Sequence, residues 1–284
     1  MWHFISEQIS QQINQDFICD DIRAGNSGDS HKSYRISDGK RRFFVKVNDA
    51  TKLSHFEAEA QGLDHIKRTD VFKVPEVICF GEVEENSYLV LEYISLSQGD
   101  ESAWYDFGDR LANLHQTQTQ EMYGWQDDNF IGLTPQPNRW SKKWSQFFAE
   151  QRIGFMLQLL AEKGHKLADI DQVVESVENL LAGHNPPASM LHGDLWMGNT
   201  GFSKNRAVMF DPAFHYGDRE TDLAMTELFN KFPSAFYQGY EARWPVSEHY
   251  QYRKTIYQLY HILNHALMFE GQYIQNAIGI LKNL

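Results

Sequence analysis

Cysteine is scarce in this 284-residue chain. Cys19 and Cys79 stand alone, with no CxxC pair and no matching histidine spacing. That argues against a disulfide framework or a zinc site and points to a reducing compartment. Basic charge is also short, since 26 Lys and Arg against 38 Asp and Glu leave a net charge of −12. A nucleic-acid backbone needs clustered cations, so nucleic acid is not an expected partner. No apolar run approaches the ~18 residues of a membrane helix. The stretch Met1 to Asp20 is polar, carries Glu7 and Asp16, and lacks the basic and apolar regions of a signal peptide. These absences predict a cytoplasmic, soluble protein without a membrane partner. What is present is a hydrophobic share of 42% with 14% aromatics, enough for a full core in one large domain or two lobes.

Periodicity divides the chain. Phe4, Ile5, Ile9 and Ile13 recur at helical spacing. Strands follow at Ser33 to Ser37 and Arg42 to Val47, joined by the Asp38-Gly39 turn signal. Leu53 to Lys67 reads as a helix with Phe56, Leu63 and Ile66 as its stripe. A second hairpin pairs Val77 to Glu82 with Ser87 to Tyr93, whose "YLVLEYI" run suits a central strand. Beyond the polar connector "SLSQGDES", helices are predicted at Trp104 to Gln118, Ser141 to Lys163, Ile170 to Ala182, Asp218 to Lys231 and Glu248 to Phe269. Short strands are predicted near Thr200 to Phe202 and Ala207 to Phe210. A strand-rich beginning and a helical remainder predict an α+β protein of two lobes, residues 1–94 and 95–284, with a ligand cleft between them.

The densest chemistry is His192-Gly193-Asp194-Leu195-Trp196-Met197-Gly198-Asn199, followed by Asp211 in "VMFDPA". Phosphoryl transfer asks a protein to position reactants and neutralise oxygens with Mg²⁺ and a cation. Mg²⁺ takes hard oxygen ligands, which Asn199 and Asp211 supply. Asp194 stands five residues before Asn199. In a kinase catalytic loop that separation places an Asp at the acceptor hydroxyl and an Asn at a metal. Lys46, on the "FFVKV" strand, matches the lysine that neutralises ATP phosphates, with Glu59 or alternatively Glu57 on the next helix to hold it. Gly25 and Gly28 in "AGNSGDSHKSY" would let backbone N–H groups approach phosphates, although the loop lacks the GxGxxG pattern. Backbone groups of Glu92 and Ile94 would then meet adenine at the connector.

With these residues in order, the chain resembles the fructosamine kinases, or ketosamine-3-kinases, of the aminoglycoside-phosphotransferase-like superfamily. The resemblance lies in "LHGDLWMGN", in "GWQDDNFIGLTPQPN" at 124–138, in "HYGDRETDLAMTELF" at 215–229, and in "FVKVN" with "FEAEAQGL". It implies a bilobal protein-kinase-like fold: an N-terminal nucleotide-binding lobe with an antiparallel sheet and a helix, and a mainly helical C-terminal lobe. It also implies ATP- and Mg²⁺-dependent phosphorylation of the third hydroxyl of a fructosamine or ribulosamine, a deglycation or repair chemistry. Kinases of other small alcohols (aminoglycoside, choline or homoserine) and a catalytically inactive nucleotide-binding regulator are the alternatives. "FDPA" replaces DFG and Gly193 replaces the loop arginine, so no phosphorylation-docked activation loop is expected.

Neighbouring residues carry weaker expectations. Trp196 either stacks on the sugar or packs its own loop. Asn129 either lines the acceptor side or is a buried structural amide. His192 and Asp222 are expected to support the loop. His215, Tyr216 and Arg219 lie close behind Asp211, and His115 reads as a satisfied core residue.

Overall fold

The computed structural model describes residues 1–25 and 31–284, and these fall into two compact units. The first comprises Met1–Gln98 with Gly201–Asp211; the second comprises Gly99–Thr200 with Pro212–Leu284. Strands dominate the first and helices the second, so the chain is an α+β protein. Among the described residues no helix is long and apolar enough to cross a membrane.

The first unit is built on an antiparallel sheet of β1 (Asp21–Ala24), β2 (Lys32–Ser37), β3 (Arg42–Asp49), β4 (Val77–Val83) and β5 (Asn86–Glu92). The spatial order is β1-β2-β3-β5-β4. The β2–β3 turn forms where Asp38-Gly39 predicts it, with Gly39 at φ 80°. Alternation along β3 decides what each face carries. Phe43, Val45 and Val47 enter a core with Ile5 and Ile9 of helix α1 (Trp2–Ile13), Phe17, Ile36, Tyr88 and Val90. The intervening Phe44 and Lys46 point the other way. Helix α2 (Leu53–Arg68) buries Phe56, Ala60, Leu63 and Ile66, and its last turn carries His65, Lys67 and Arg68, cations that suit a helix C-terminus. The hairpin Thr200–Ser203 and Arg206–Met209 joins this unit through Ser97–Phe202 and Lys73–Val208 bridges, and Met209 N–H donates to the Lys73 carbonyl at 3.2 Å.

In the second unit, helix α3 (Glu101–Thr117) starts at Asp100, whose carboxylate accepts from Ala103 N–H at 2.9 Å. It crosses the helix Ser234–Arg243 at glycine: a Cβ on Gly108 would sit 1.8 Å from the Phe236 carbonyl, and one on Gly239 would sit 2.0 Å from that of Tyr105. A short sheet sets His215–Gly217 and Thr119–Gln120 on either side of Ala188–Leu191.

Several boundaries differ from the periodicity. The helix predicted at Asp218 to Lys231 spans only Glu220–Thr226. Asp218 stays outside and accepts from Glu220 N–H, while the Thr226 hydroxyl donates to the Leu223 carbonyl and i→i−3 bonds tighten the exit. The predicted span Ser141 to Lys163 begins at Trp144 and contains a π-helical segment, Ala149–Gly154. Two helices, Ser234–Arg243 and Gln272–Leu281, and the strand β1 were not predicted by the pattern.

Candidate active site

The first group of functional side chains grows from β3. Strand register sends Lys46 to the side opposite the α1 core, and the residue is only 2% exposed. Its ammonium donates to both carboxylate oxygens of Glu59, at 2.7 and 2.9 Å, and to Asp211 Oδ1. Glu57 is exposed, so α2 presents Glu59 and not Glu57 to the lysine. Burial alone would lower the Lys46 pKa; Asp211 and then Glu59 outweigh it and hold the ammonium charged. Burial, opposed by Lys46 and assisted by Asp211, holds the Glu59 carboxyl above its ordinary value. One cation thus faces two carboxyl groups, leaving an excess of acceptor oxygens. Asp211 adopts φ 57°, a left-handed conformation that Asp tolerates better than most residues and that aims its side chain back at β3. His31 lies in the field of this group, and burial, then Lys46, push its pKa down to about 4.

The nucleotide-loop expectations fare unevenly. Gly28 lies outside the described residues. Gly25 N–H is taken by the Ser33 carbonyl at 2.8 Å, so that donor continues the β1–β2 ladder and is not offered to a phosphate. Glu92 N–H is likewise taken by the Glu76 carbonyl at 2.8 Å, and its carboxylate accepts from Lys73 at 2.8 Å. The Glu92 backbone therefore has no donor to offer adenine; Ile94, two residues on, is half-buried in irregular backbone.

The second group is the loop after strand Ala188–Leu191. Gly193 takes φ 83°, and a Cβ there would sit 2.0 Å from the Ala213 carbonyl, so no other residue fits. The turn is tied down by Asp222, 1% exposed, whose oxygens accept from His192 N–H at 2.8 Å and Gly193 N–H at 2.9 Å. Burial would raise the Asp222 pKa, but the hydrogen bond and charge of His115, with His192 and Gly193, hold it below the ordinary range. His115 is thus a core residue that also supports this anchor, with Nε2 3.2 Å from Asp222 and Nδ1 2.8 Å from the Tyr240 hydroxyl. His192 Nδ1 accepts from Asp194 N–H at 3.3 Å. A 3₁₀ turn at Met197–Asn199 then folds the loop back. Asn199 Nδ2 donates to the Asp194 carbonyl and to Oδ2, both at 2.9 Å. With its nitrogen so engaged, the amide turns its carbonyl oxygen to other partners.

Trp196 is half-buried, its ring 6.0 Å from that of Phe229 at 73°, which favours packing among the two expectations. Of the two expectations for Asn129, its hydrogen bonds match the buried amide. It donates to the Phe214 carbonyl at 2.6 Å, and its Oδ1 accepts from Gln136 and Asn138, both at 2.8 Å. With donor and acceptor both engaged internally and 8% exposure, it is a structural amide. Arg219 is structural too, donating to the Trp244 and Pro245 carbonyls, and buried His215 bonds the Ala213 carbonyl. His261, which the sequence did not single out, places Nδ1 3.7 Å from Asp194 Oδ1.

A family profile described as "Fructosamine kinase" matches residues 1–284. A "Probable ketoamine kinase" of Vibrio parahaemolyticus is 47% identical over 279 residues, 98% of this chain and 96% of its own. A crystal structure of a fructosamine-3-kinase candidate from Haemophilus somnus superposes with a TM-score of 0.96 at 35% identity, covering 100% and 97% of the two chains. The fold extends to aminoglycoside phosphotransferase APH(4)-Ia, solved with AMP-PNP and hygromycin B, at a TM-score of 0.59, 17% identity and 98% and 97% coverage.

Proposed function

As the chain belongs to the fructosamine kinase family, we propose that it transfers the γ-phosphoryl group of ATP to the third hydroxyl of a ketoamine such as a fructosamine or ribulosamine. In this reading residues 1–94 form the nucleotide-binding lobe and residues 95–284 the catalytic and substrate-binding lobe. The observation that carries it is the Lys46 ammonium, 2% exposed, held by Glu59 against Asp211, a carboxylate 165 residues away. A buried cation bracketed by acids has little structural use, since apolar side chains would fill the space at less cost. It has a clear use beside a triphosphate.

Each group has a role in the reaction. Lys46 neutralises phosphate oxygens, and Glu59 keeps the ammonium in place. Asp194 orients the acceptor hydroxyl. The acceptor oxygen forms the new bond to the γ-phosphorus while the bond to the β,γ-bridging oxygen breaks and ADP leaves. The hydroxyl proton passes to the Asp194 carboxylate. Asp194 takes the proton late, a contribution of roughly 10²–10⁴ in rate.

The donor set also fits Mg²⁺. Asp211, 34% exposed at its side chain, offers a carboxylate, and Asn199 offers the amide oxygen left once Asp194 holds its nitrogen. Held by these residues, Mg²⁺ would supply positive charge against that developing on the transferring phosphoryl group.

The test is a coupled ADP-release assay with fructosyl and ribulosyl amines, with and without Mg²⁺, followed by NMR location of the new phosphate. Mg²⁺-dependent turnover with phosphate on the third hydroxyl is expected. Silence on every ketoamine together with turnover on an aminoglycoside, choline or homoserine would refute the acceptor assignment.

A further inference from the structure

We infer that His261 is a positioning residue for Asp194, closing its Nδ1–H onto Asp194 Oδ1 in the reactive complex and holding the carboxylate from the side opposite Asn199. The inference rests on the reading of Asp194 as the acceptor-facing carboxylate.

His261 lies in the helix Tyr250–Phe269 and is 3% exposed. Its Nδ1 is buried and has no hydrogen-bond partner among the described residues. Native interiors leave few such atoms, and each one needs a reason. Here Asp194 Oδ1 is 3.7 Å away, beyond hydrogen-bonding range yet within reach of a small side-chain rotation. Oδ2 of the same carboxylate already accepts from Asn199 at 2.9 Å. Burial, then His265, push the His261 pKa down to about 3, so the ring is neutral and the pair is not an ion pair. A neutral imidazole nitrogen facing a carboxylate is comfortable only as N–H, because its lone pair would be repelled. The Tyr260 ring lies 5.2 Å away between centroids.

Catalytic hydrogen bonds are often long without substrate and tighten when the reactive complex forms. Bonds at both oxygens would lock the carboxylate plane and aim one lone pair at the acceptor proton. The sequence hides this, because His261 and Asp194 are 67 residues apart and His261 follows the helix's ordinary burial pattern.

Three substitutions separate positioning from packing. Asn places an amide nitrogen near the position of Nδ1, Gln places one near Nε2, and Leu keeps bulk without a donor. The expected result is that His261→Leu and His261→Gln lower kcat roughly 10–100-fold, the scale of a small misplacement at a reacting centre, while KM for acceptor and ATP stays put. His261→Asn should restore most of kcat. Parental kcat in His261→Gln would overturn the inference. So would a rise in acceptor KM at constant kcat, which would make His261 a substrate contact, or an Asn variant that melts like the parent yet is as impaired as Gln. Should Leu fail to fold, the Asn–Gln contrast decides alone. Asp194→Asn, run in parallel, separates the two levels. If it is inactive while His261→Gln is unimpaired, only the His261 inference falls; if Asp194→Asn is fully active, the reading beneath it falls as well.

Discussion

Replacing Asp222 by Asn is an isosteric change with a large expected effect. The carboxylate accepts from His192 N–H at 2.8 Å, Gly193 N–H at 2.9 Å and His115 Nε2 at 3.2 Å, all buried. An Asn side chain has one acceptor oxygen, so its NH₂ must face one of the two backbone N–H groups. Losing one charge-assisted bond removes about 1.5–3 kcal/mol, and the orphaned buried donor adds about 1–3 kcal/mol. The expected loss is therefore about 3–5 kcal/mol, a large part of the ~5–15 kcal/mol of a typical domain. Urea titration should show a lower midpoint at unchanged slope. Because the anchored backbone is that of His192 and Gly193, kcat should fall in the surviving folded fraction while ATP affinity holds. The folded carboxyl is held below its ordinary pKa, so its contribution is intact above about pH 4 and fades as pH falls through the depressed value. The Asn variant should lack that component of acid sensitivity. A variant within ~0.5 kcal/mol of the parent would refute the loop-anchor reasoning.

Other perturbations read different parts of the site. Asp194→Asn should retain nucleotide binding and lose roughly 10²–10⁴ in turnover; parental activity would show that the carboxylate has another role. Asp211→Ala should weaken Mg·ATP itself, measured by calorimetry with and without Mg²⁺, whereas equal affinity in both would contradict its assignment. Gly193→Ala combines a Cβ 2.0 Å from the Ala213 carbonyl with φ 83°, so it should yield little folded protein, as judged by soluble expression and near-UV circular dichroism.

The sequence made the chemistry more legible than the scaffold. His192 to Asn199 and Asp211 stand out because phosphoryl transfer restricts residue types at short spacing, and the loop brings Asp194 and Asn199 together as that spacing implies. Glu59 was preferred with Glu57 kept as an alternative, since residues two apart on a helix differ only in which face meets β3. Asn129 was left open between a ligand contact and a buried amide, because its partners, Gln136, Asn138 and the Phe214 carbonyl, come together only through tertiary packing. The helix Ser234–Arg243 was missed for a related reason. Its buried face is Ala235, Phe236, Gly239 and Tyr240, and with two small residues on that face the apolar contrast is weak in the sequence. Arg152, 1% exposed in the π-helical segment and bonded to the Pro137 carbonyl and Asn138, is likewise unreadable from a local pattern that treats arginine as a surface residue.

The proposed activity rests on Lys46 meeting the phosphates and on Asn199 and Asp211 each supplying an oxygen to the metal. Crystals of the protein with a non-hydrolysable ATP analogue and Mn²⁺, in place of Mg²⁺, would locate the metal by anomalous scattering. The account predicts a metal bound by the Asn199 amide oxygen and the Asp211 carboxylate, with Lys46 Nζ on the phosphates. A metal bound without either of those oxygens, or Lys46 remote from the phosphates, would contradict it.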